Sequence, residues 1–184
     1  MGIEGGNNMA TLHGFSLKKI VEYRGHEGEP LAQADVYYNG KQIGFWRQGD
    51  FGGEDEFHGI DSYMIEQKYF DIIRDVWEET FVGMFPNRIN PRYSDESISA
   101  DFLGTLLQIA LTEKSFKKYI KKGYKAIITL GVAWVFQEYR IPIHWDIEKA
   151  KDYVLKEFAK TYPTLESYEK KLNVYTTLED FIVG

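Results

Sequence analysis

The sequence predicts an α+β fold in a single domain, with an antiparallel sheet that begins as an N-terminal three-stranded meander and is packed by several helices. Two observations carry this prediction. Apolar and polar residues alternate through much of the N-terminal third, around an Asn-Gly pair, and apolar residues recur at helical spacing in four later stretches. We assign residues 1–14 to a flexible leader and 15–184 to the domain, with Met1 and Met9 as alternative natural starts.

Three strands are predicted at residues 15–24, 31–38 and 41–48. They are separated by a turn cluster rich in glycine and by the pair Asn39-Gly40. The second connection predicts a two-residue type I′ turn, because that turn needs positive φ at both central residues.

A two-residue turn also predicts the register of the second and third strands. Tyr38 then faces Lys41, and the next pairs on one face, Val36 with Ile43 and Ala34 with Phe45, form the core side of the sheet. The other face carries polar and aromatic side chains, namely Gln33, Asp35, Tyr37 and Trp46.

Helical spacing predicts a first helix over about residues 62–82, with Asp61 or Ser62 as its N-cap. A second helix is expected to begin near Asp95 or Ser97. Its apolar stripe includes four leucines and a phenylalanine, which is typical of a helix that packs on a core.

The second helix continues or restarts through Ile120, and Gly123 is a suitable residue to end it. Residues 124–139 are then almost continuously apolar. This run predicts either one buried central strand or two strands with Gly131 between them.

The last part of the chain predicts two further helices and a capped segment. Asp146 caps the third helix, and Thr164 starts a short fourth helix after a proline. Thr176 and Glu179 have the spacing of a capping box. The apolar positions of the fourth helix are Leu165, Tyr168 and Leu172.

Composition excludes several classes of protein. The formal net charge of −6 argues against a protein that coats nucleic acid through its overall charge, although a local basic patch is compatible with it. The chain has no cysteine, so disulfides and thiolate zinc sites are excluded and a reducing cytoplasm is the expected location. No apolar run approaches the ~20 residues that span a bilayer.

The first candidate site is an acidic loop, residues 48–61, with five carboxylates, one histidine and several glycines. Hard oxygen ligands and a base are what a nuclease dependent on Mg²⁺ or Mn²⁺ requires. The alternative is a solvated loop whose last aspartate caps a helix. The predicted metal ligands are Asp50, Glu54 and Glu56, and the predicted catalytic residues are Glu54, Asp55, Glu56 and His58.

The second candidate site is a run of lysines with interleaved tyrosines at the end of the second helix. On a helix these lysines form one broad face, which suits contact with phosphates, and tyrosines can stack on bases. The alternative is a solubilising helix end whose lysines complement the helix dipole. The predicted nucleic-acid-binding residues are Lys117, Lys118, Lys121, Lys122 and Tyr124.

Two parts of the chain resemble known proteins. The turn and hairpin from Gly25 to Phe45 with Gly52-Gly53, and the later Lys121-Lys122-Gly123-Tyr124 with its apolar strand, resemble small accessory proteins of Gram-positive mobile elements. Some of those proteins are anti-CRISPR inhibitors of type II-A Cas9, and one group is thought to act on the guide RNA. The resemblance covers about residues 15–60 and 117–130 and carries no catalytic motif.

The resemblance implies a cytoplasmic inhibitor of a bacterial defence nuclease, with Cas9 or the Cas9–guide RNA complex as its partner. Two mechanisms are open: the protein binds Cas9 or its guide RNA, or it cuts the guide RNA with a divalent metal. A non-catalytic accessory protein with another protein partner is the third hypothesis. Exposed tyrosines and an edge strand favour a homodimer.

Overall fold

The computed structural model describes residues 10–50, 53, 55–60, 65–84, 94–132, 135–165 and 170–184. These residues form three α-helices, nine strands and two 3₁₀ turns. The mixed content and the N-terminal meander confirm the α+β prediction. The chain divides into two compact units, Met1–Ala110 with Ile182–Gly184, and Leu111–Phe181. The assignment of residues 15–184 to a single domain stays a prediction.

The first unit contains a six-stranded sheet. In chain order its strands are β1 (Thr11–Leu12), β2 (Phe15–Arg24), β3 (Pro30–Tyr38), β4 (Lys41–Arg47) and β5 (Glu56–Gly59), followed by the C-terminal β9 (Ile182–Val183). The spatial order is β5-β4-β3-β2-β1-β9. All pairs are antiparallel except β1 and β9, which are parallel.

The sheet begins before the predicted boundary at residue 15. Ala10 is buried, and β1 joins β2 through a tight turn at His13-Gly14. All ten residues of the first predicted strand, 15–24, form β2, so the meander begins at the predicted residue.

The predicted register of β3 and β4 is wrong beyond the first pairs after the turn. Tyr37 pairs with Gln42, but Val36 pairs with Gly44 and Ala34 with Trp46, because Ile43 is an extra residue in β4. Such a β-bulge shifts the alternation of side chains by one position. The indole of Trp46 is therefore in the core, 1% exposed, and Phe45 is only partly buried.

Helix α1 (Gln67–Met84) and the first part of α2 (Asp95–Ile120) supply apolar side chains to this unit. The ring of Phe15 lies 5.1 Å from Phe102 of α2, and Tyr38 lies 5.4 Å from Tyr69 of α1, as distances between ring centroids. The predicted start of α1 at residue 62 is too early, and its predicted caps at 61 and 62 lie outside the described residues.

Helix α2 is one continuous helix to Ile120, and its N-cap is Ser94 rather than Asp95 or Ser97. The Ser94 hydroxyl accepts the N–H of Ser97 at 3.2 Å. At the other end Gly123 has φ +84 and donates to the Ile120 carbonyl at 3.1 Å, so it ends the helix as predicted.

The second unit contains a three-stranded antiparallel sheet. Its strands are β6 (Tyr124–Val132), β7 (Val135–Pro142) and β8 (Lys171–Tyr175), with β6 in the centre. The apolar run after Gly123 is therefore two strands of a hairpin. Gly131 lies inside β6, where it pairs with Phe136, and not between the two strands; positions 133–134 lie outside the described residues.

Helix α3 (Ile147–Thr161) covers one face of this sheet. Asp146 caps it, as predicted, by accepting the Lys149 N–H at 3.0 Å. The core between helix and sheet consists of Ala126, Ile128, Leu130, Ile141, Ala150, Val154, Phe158 and Leu165. On the opposite face, Phe116 from the end of α2 lies 5.4 Å from Phe181.

Two predictions for the C-terminal part are wrong. The predicted fourth helix is a 3₁₀ turn, Pro163–Leu165, in the residues that are described, and Tyr168 lies outside them. Leu172 lies in β8, where it pairs with the central strand. The expected capping box is replaced by Asp180, whose carboxylate accepts the N–H groups of Thr176 and Thr177 at 2.6 and 2.8 Å. The segment that follows is a 3₁₀ turn, Glu179–Phe181.

Candidate functional site

Asp55 of the acidic loop holds the loop onto strand β4. One carboxylate oxygen accepts the indole N–H of Trp46 at 2.9 Å, and the other accepts the backbone N–H of Gly49 at 3.0 Å. Because the Trp46 side chain is buried, its N–H needs a protein acceptor. Asp55 supplies that acceptor, which is a structural role.

Asp50 joins the acidic loop to the turn between β2 and β3. Its carboxylate accepts the backbone N–H of His26 at 3.1 and 3.3 Å, and its own carbonyl accepts the N–H of Gly53 at 2.9 Å. The two aspartates described in this loop therefore both bind backbone groups and shape the loop.

Glu56 and His58 lie on the edge strand β5. His58 Nε2 is 3.6 Å from Glu56 Oε2, with 48% and 60% of the two side chains exposed. The imidazole is also stacked on Phe45, with ring centroids 6.5 Å apart. This pair is thus largely in solvent, where an ion pair is weak.

The predictions for metal binding and catalysis depend on Glu54, which lies outside the described residues. Among the residues that the structure describes, no group of three or more acidic or histidine side chains could hold a metal ion. The metal site at Asp50, Glu54 and Glu56, and the catalytic roles of Glu54, Asp55, Glu56 and His58, stay predictions.

A cluster of cations surrounds Tyr119 at the end of α2. Arg140 of β7 lies 4.1 Å from the centre of the Tyr119 ring, and the ammonium groups of Lys118 and Lys122 lie 5.6 and 5.9 Å from it. Tyr124 meets the same ring edge to face, with centroids 5.7 Å apart. We call these residues, together with the exposed Lys121 next to them in sequence, the basic–aromatic surface: Lys118, Tyr119, Lys121, Lys122, Tyr124 and Arg140.

Four of these cations are exposed and have no ion pair within the part of the chain that the structure describes: Lys118, Lys121, Lys122 and Arg140. Lys117, which we also predicted to bind nucleic acid, differs from them. Its ammonium lies 2.6 Å from the carboxylate of Glu113, which is 0% exposed. The structure therefore brings Lys118, Lys122 and Tyr124 together around Tyr119, leaves Lys121 exposed in the adjoining turn, and gives Lys117 a buried partner.

The nearest acid on the same strand as Arg140 is Glu138. Burial raises the pKa of Glu138, while a hydrogen bond with Ser115 and the charge of Arg140 lower it, and the net direction is upward. Burial thus disfavours the negative charge that would offset Arg140.

Arg140 was missed by the sequence analysis. It lies far from the lysines in sequence, and only the pairing of β6 with β7 brings it to Tyr119. The one available signal is alternation: Ile141 belongs to the core on the α3 face, so its neighbour Arg140 must point to the other face.

A second feature, in the first unit, is an open cleft of about 610 Å³ beside two adjacent type I′ turns. His13 and Asn39 have φ +47 and +46, and the N–H of Asn39 donates to the Gly14 carbonyl at 2.8 Å. Ile72 and Val76 of α1 form the apolar side of the cleft. No lysine or arginine is among the described lining residues, so the cleft does not suit phosphate.

No helix in the described part of the chain is long and apolar enough to cross a membrane. Comparison with protein-family models, with curated proteins and with solved structures finds no match to this chain.

Proposed function

We propose that the protein binds RNA through the basic–aromatic surface and that, as an anti-CRISPR-type inhibitor, it acts on Cas9 by binding the guide RNA. The observation that carries the RNA-binding part is the convergence of three exposed cations, Lys118, Lys122 and Arg140, on the ring of Tyr119, which in turn contacts Tyr124. Phosphate contacts by lysine and arginine supply most of the affinity for nucleic acid, and aromatic rings add stacking on bases.

The position of Arg140 on strand β7 favours RNA binding over the alternative, in which the lysines at the end of α2 only keep the protein soluble. Lysines at the end of α2 complement the negative end of the helix dipole, and that alone explains their positions. Arg140 belongs to β7 and not to the helix, so the dipole does not explain why it lies over Tyr119. Since the whole chain carries a formal charge of −6, local positive charge is also unexpected from composition.

The inhibitor part of the proposal is supported by the resemblance to accessory proteins of mobile elements, whose Lys121-Lys122-Gly123-Tyr124 segment lies in this surface. Cleavage of the guide RNA with a divalent metal is the alternative mechanism. The positions of Asp50 and Asp55 favour binding, because their carboxylates already hold backbone and indole N–H groups.

The test measures binding of fluorescently labelled guide RNA by anisotropy. We expect a Lys118→Glu, Lys121→Glu, Lys122→Glu variant to lose at least about tenfold in affinity, because each lost phosphate contact removes counterion release. The matched control carries the same charge change on exposed lysines of α3: Lys149→Glu, Lys156→Glu and Lys160→Glu. It should bind within about twofold of the wild type.

The same variants are then compared in a Cas9 cleavage assay. The wild type and the control should inhibit Cas9, and the surface variant should not. Guide RNA recovered from each reaction, with and without Mg²⁺, should run at full length on a denaturing gel. Shortened RNA would favour the nuclease mechanism, and equal loss of affinity in both variants would contradict the assignment of the surface.

A further inference from the structure

We infer that the basic–aromatic surface takes single-stranded RNA rather than an RNA duplex, with one base stacked on Tyr124. This inference rests on the proposed function and names the class of RNA. It follows from the different surroundings of the two tyrosines and from the small extent of the charged surface.

The two tyrosine rings are not equivalent. The guanidinium of Arg140 lies 4.1 Å from the centre of the Tyr119 ring, and two lysine ammonium groups lie within 6 Å of it. Cations of the protein therefore already contact this ring. No described cation lies over Tyr124, which is half-buried and contacts Tyr119 with an interplanar angle of 78°. Tyr119 thus supports the ring of Tyr124, and Tyr124 is the ring that can accept a base.

The lysines next to Tyr124 are placed to contact the backbone of the same strand. Lys121 and Lys122 are exposed in the turn that connects α2 to β6, and Gly123 of this turn has φ +84. The left-handed glycine reverses the chain directly before Tyr124, so two flexible ammonium groups and an aromatic ring follow one another within four residues. Single-stranded RNA is bound by this combination, with phosphates on cations and bases on rings.

A duplex fits this surface poorly for two reasons. Its base faces are covered by their neighbours in the stack, so a tyrosine gains nothing by stacking. Proteins that recognise double-stranded RNA by shape also contact about 16 base pairs, over two successive minor grooves. The unpaired cations described here come from one helix end, one turn and one strand end, which suits a tract of a few nucleotides.

The test uses a 12-nucleotide RNA of mixed sequence, either single-stranded or annealed to its complement. Wild-type protein should bind the single strand at least about tenfold more tightly than the duplex, because only the single strand offers base faces. The Tyr124→Ala variant should bind the single strand at least about fivefold more weakly, and Tyr124→Phe, which keeps the ring, should stay within about twofold. Thermal unfolding of both variants checks that the second unit still folds.

The comparison of single strand and duplex is made on the wild type, so it does not depend on how a variant folds. Equal affinity for the two RNAs, or a folded Tyr124→Ala variant that binds like the wild type, would overturn this inference and leave RNA binding intact. Failure of the wild type to bind either the guide RNA or the oligonucleotide would instead overturn the proposed function.

Discussion

Both carboxylate oxygens of Asp55 accept hydrogen bonds from N–H groups of the protein, and one of these groups is buried. The indole N–H of Trp46 is buried in the core of the first sheet, 2.9 Å from Asp55, and the N–H of Gly49 is 3.0 Å away. A buried donor without an acceptor costs about 1–3 kcal/mol. At the scale of single residues, Asp55 therefore matters to the stability of the fold.

We expect Asp55→Ala to lower the free energy of unfolding by about 1–3 kcal/mol, because it leaves the Trp46 N–H unsatisfied. Chemical denaturation of the variant measures this loss. In a Trp46→Phe background the same change should cost clearly less, since the indole N–H is already gone. An identical cost in both backgrounds would mean that Asp55 does not act through Trp46.

At the scale of the element, the end of α2 carries two kinds of lysine. Lys117 is paired with Glu113 one turn earlier, and the carboxylate of Glu113 is buried. Lys118, next in sequence, is exposed and has no ion pair in the described part of the chain. Neighbours on one helix thus separate into a lysine that stabilises the fold and a lysine that is able to contact a ligand.

We expect Lys117→Met to destabilise the protein by about 1–3 kcal/mol, because the buried carboxylate of Glu113 loses the ammonium group that lies 2.6 Å from it. Lys118→Met should change stability by less than about 0.5 kcal/mol, as is usual for an exposed position. Denaturant titration of the two variants gives both values. RNA affinity should show the reverse order, with the larger loss in Lys118→Met, and equal stability of the two variants would contradict these roles.

For the whole molecule, charge is distributed unevenly. The formal net charge is −6, yet three exposed cations lie around Tyr119 and the exposed Lys121 is next to one of them in sequence. An acidic protein repels RNA at long range, so binding must come from short-range contacts with a small number of phosphates.

We expect the logarithm of the RNA binding constant to fall with the logarithm of salt concentration with a slope of about −3. This value follows from four phosphate contacts at about −0.7 each for a single strand. The variant with Lys118, Lys121 and Lys122 changed to glutamate should show a slope no steeper than about −1. Anisotropy titrations between 50 and 300 mM salt, roughly the range in which such slopes are measured, test both values. A steep slope in the variant would indicate a different site.

Features specified by neighbouring residues could be predicted from the sequence. The turn at Asn39-Gly40 has φ +46 and +80, as its residue types predict. Asp146 caps the start of α3 and Gly123 follows the end of α2, both as expected. The meander and the lysines at the end of α2 also follow from short patterns. Each of these depends on conformational preferences within a few residues, which a sequence displays directly.

The remaining features depend on contacts between distant segments. Gly44 is one example: a side chain there would meet the Phe57 ring of β5, and the bulge at Ile43 that puts Trp46 in the core lies beside it. The parallel pairing of β1 with β9 joins the two ends of the chain, and Arg140 reaches Tyr119 only through a hairpin. Local pattern thus determined where strands, helices and the basic segment lie. Only tertiary structure decided which carboxylates and cations have partners, because pairing across the chain leaves no signal in adjacent residues.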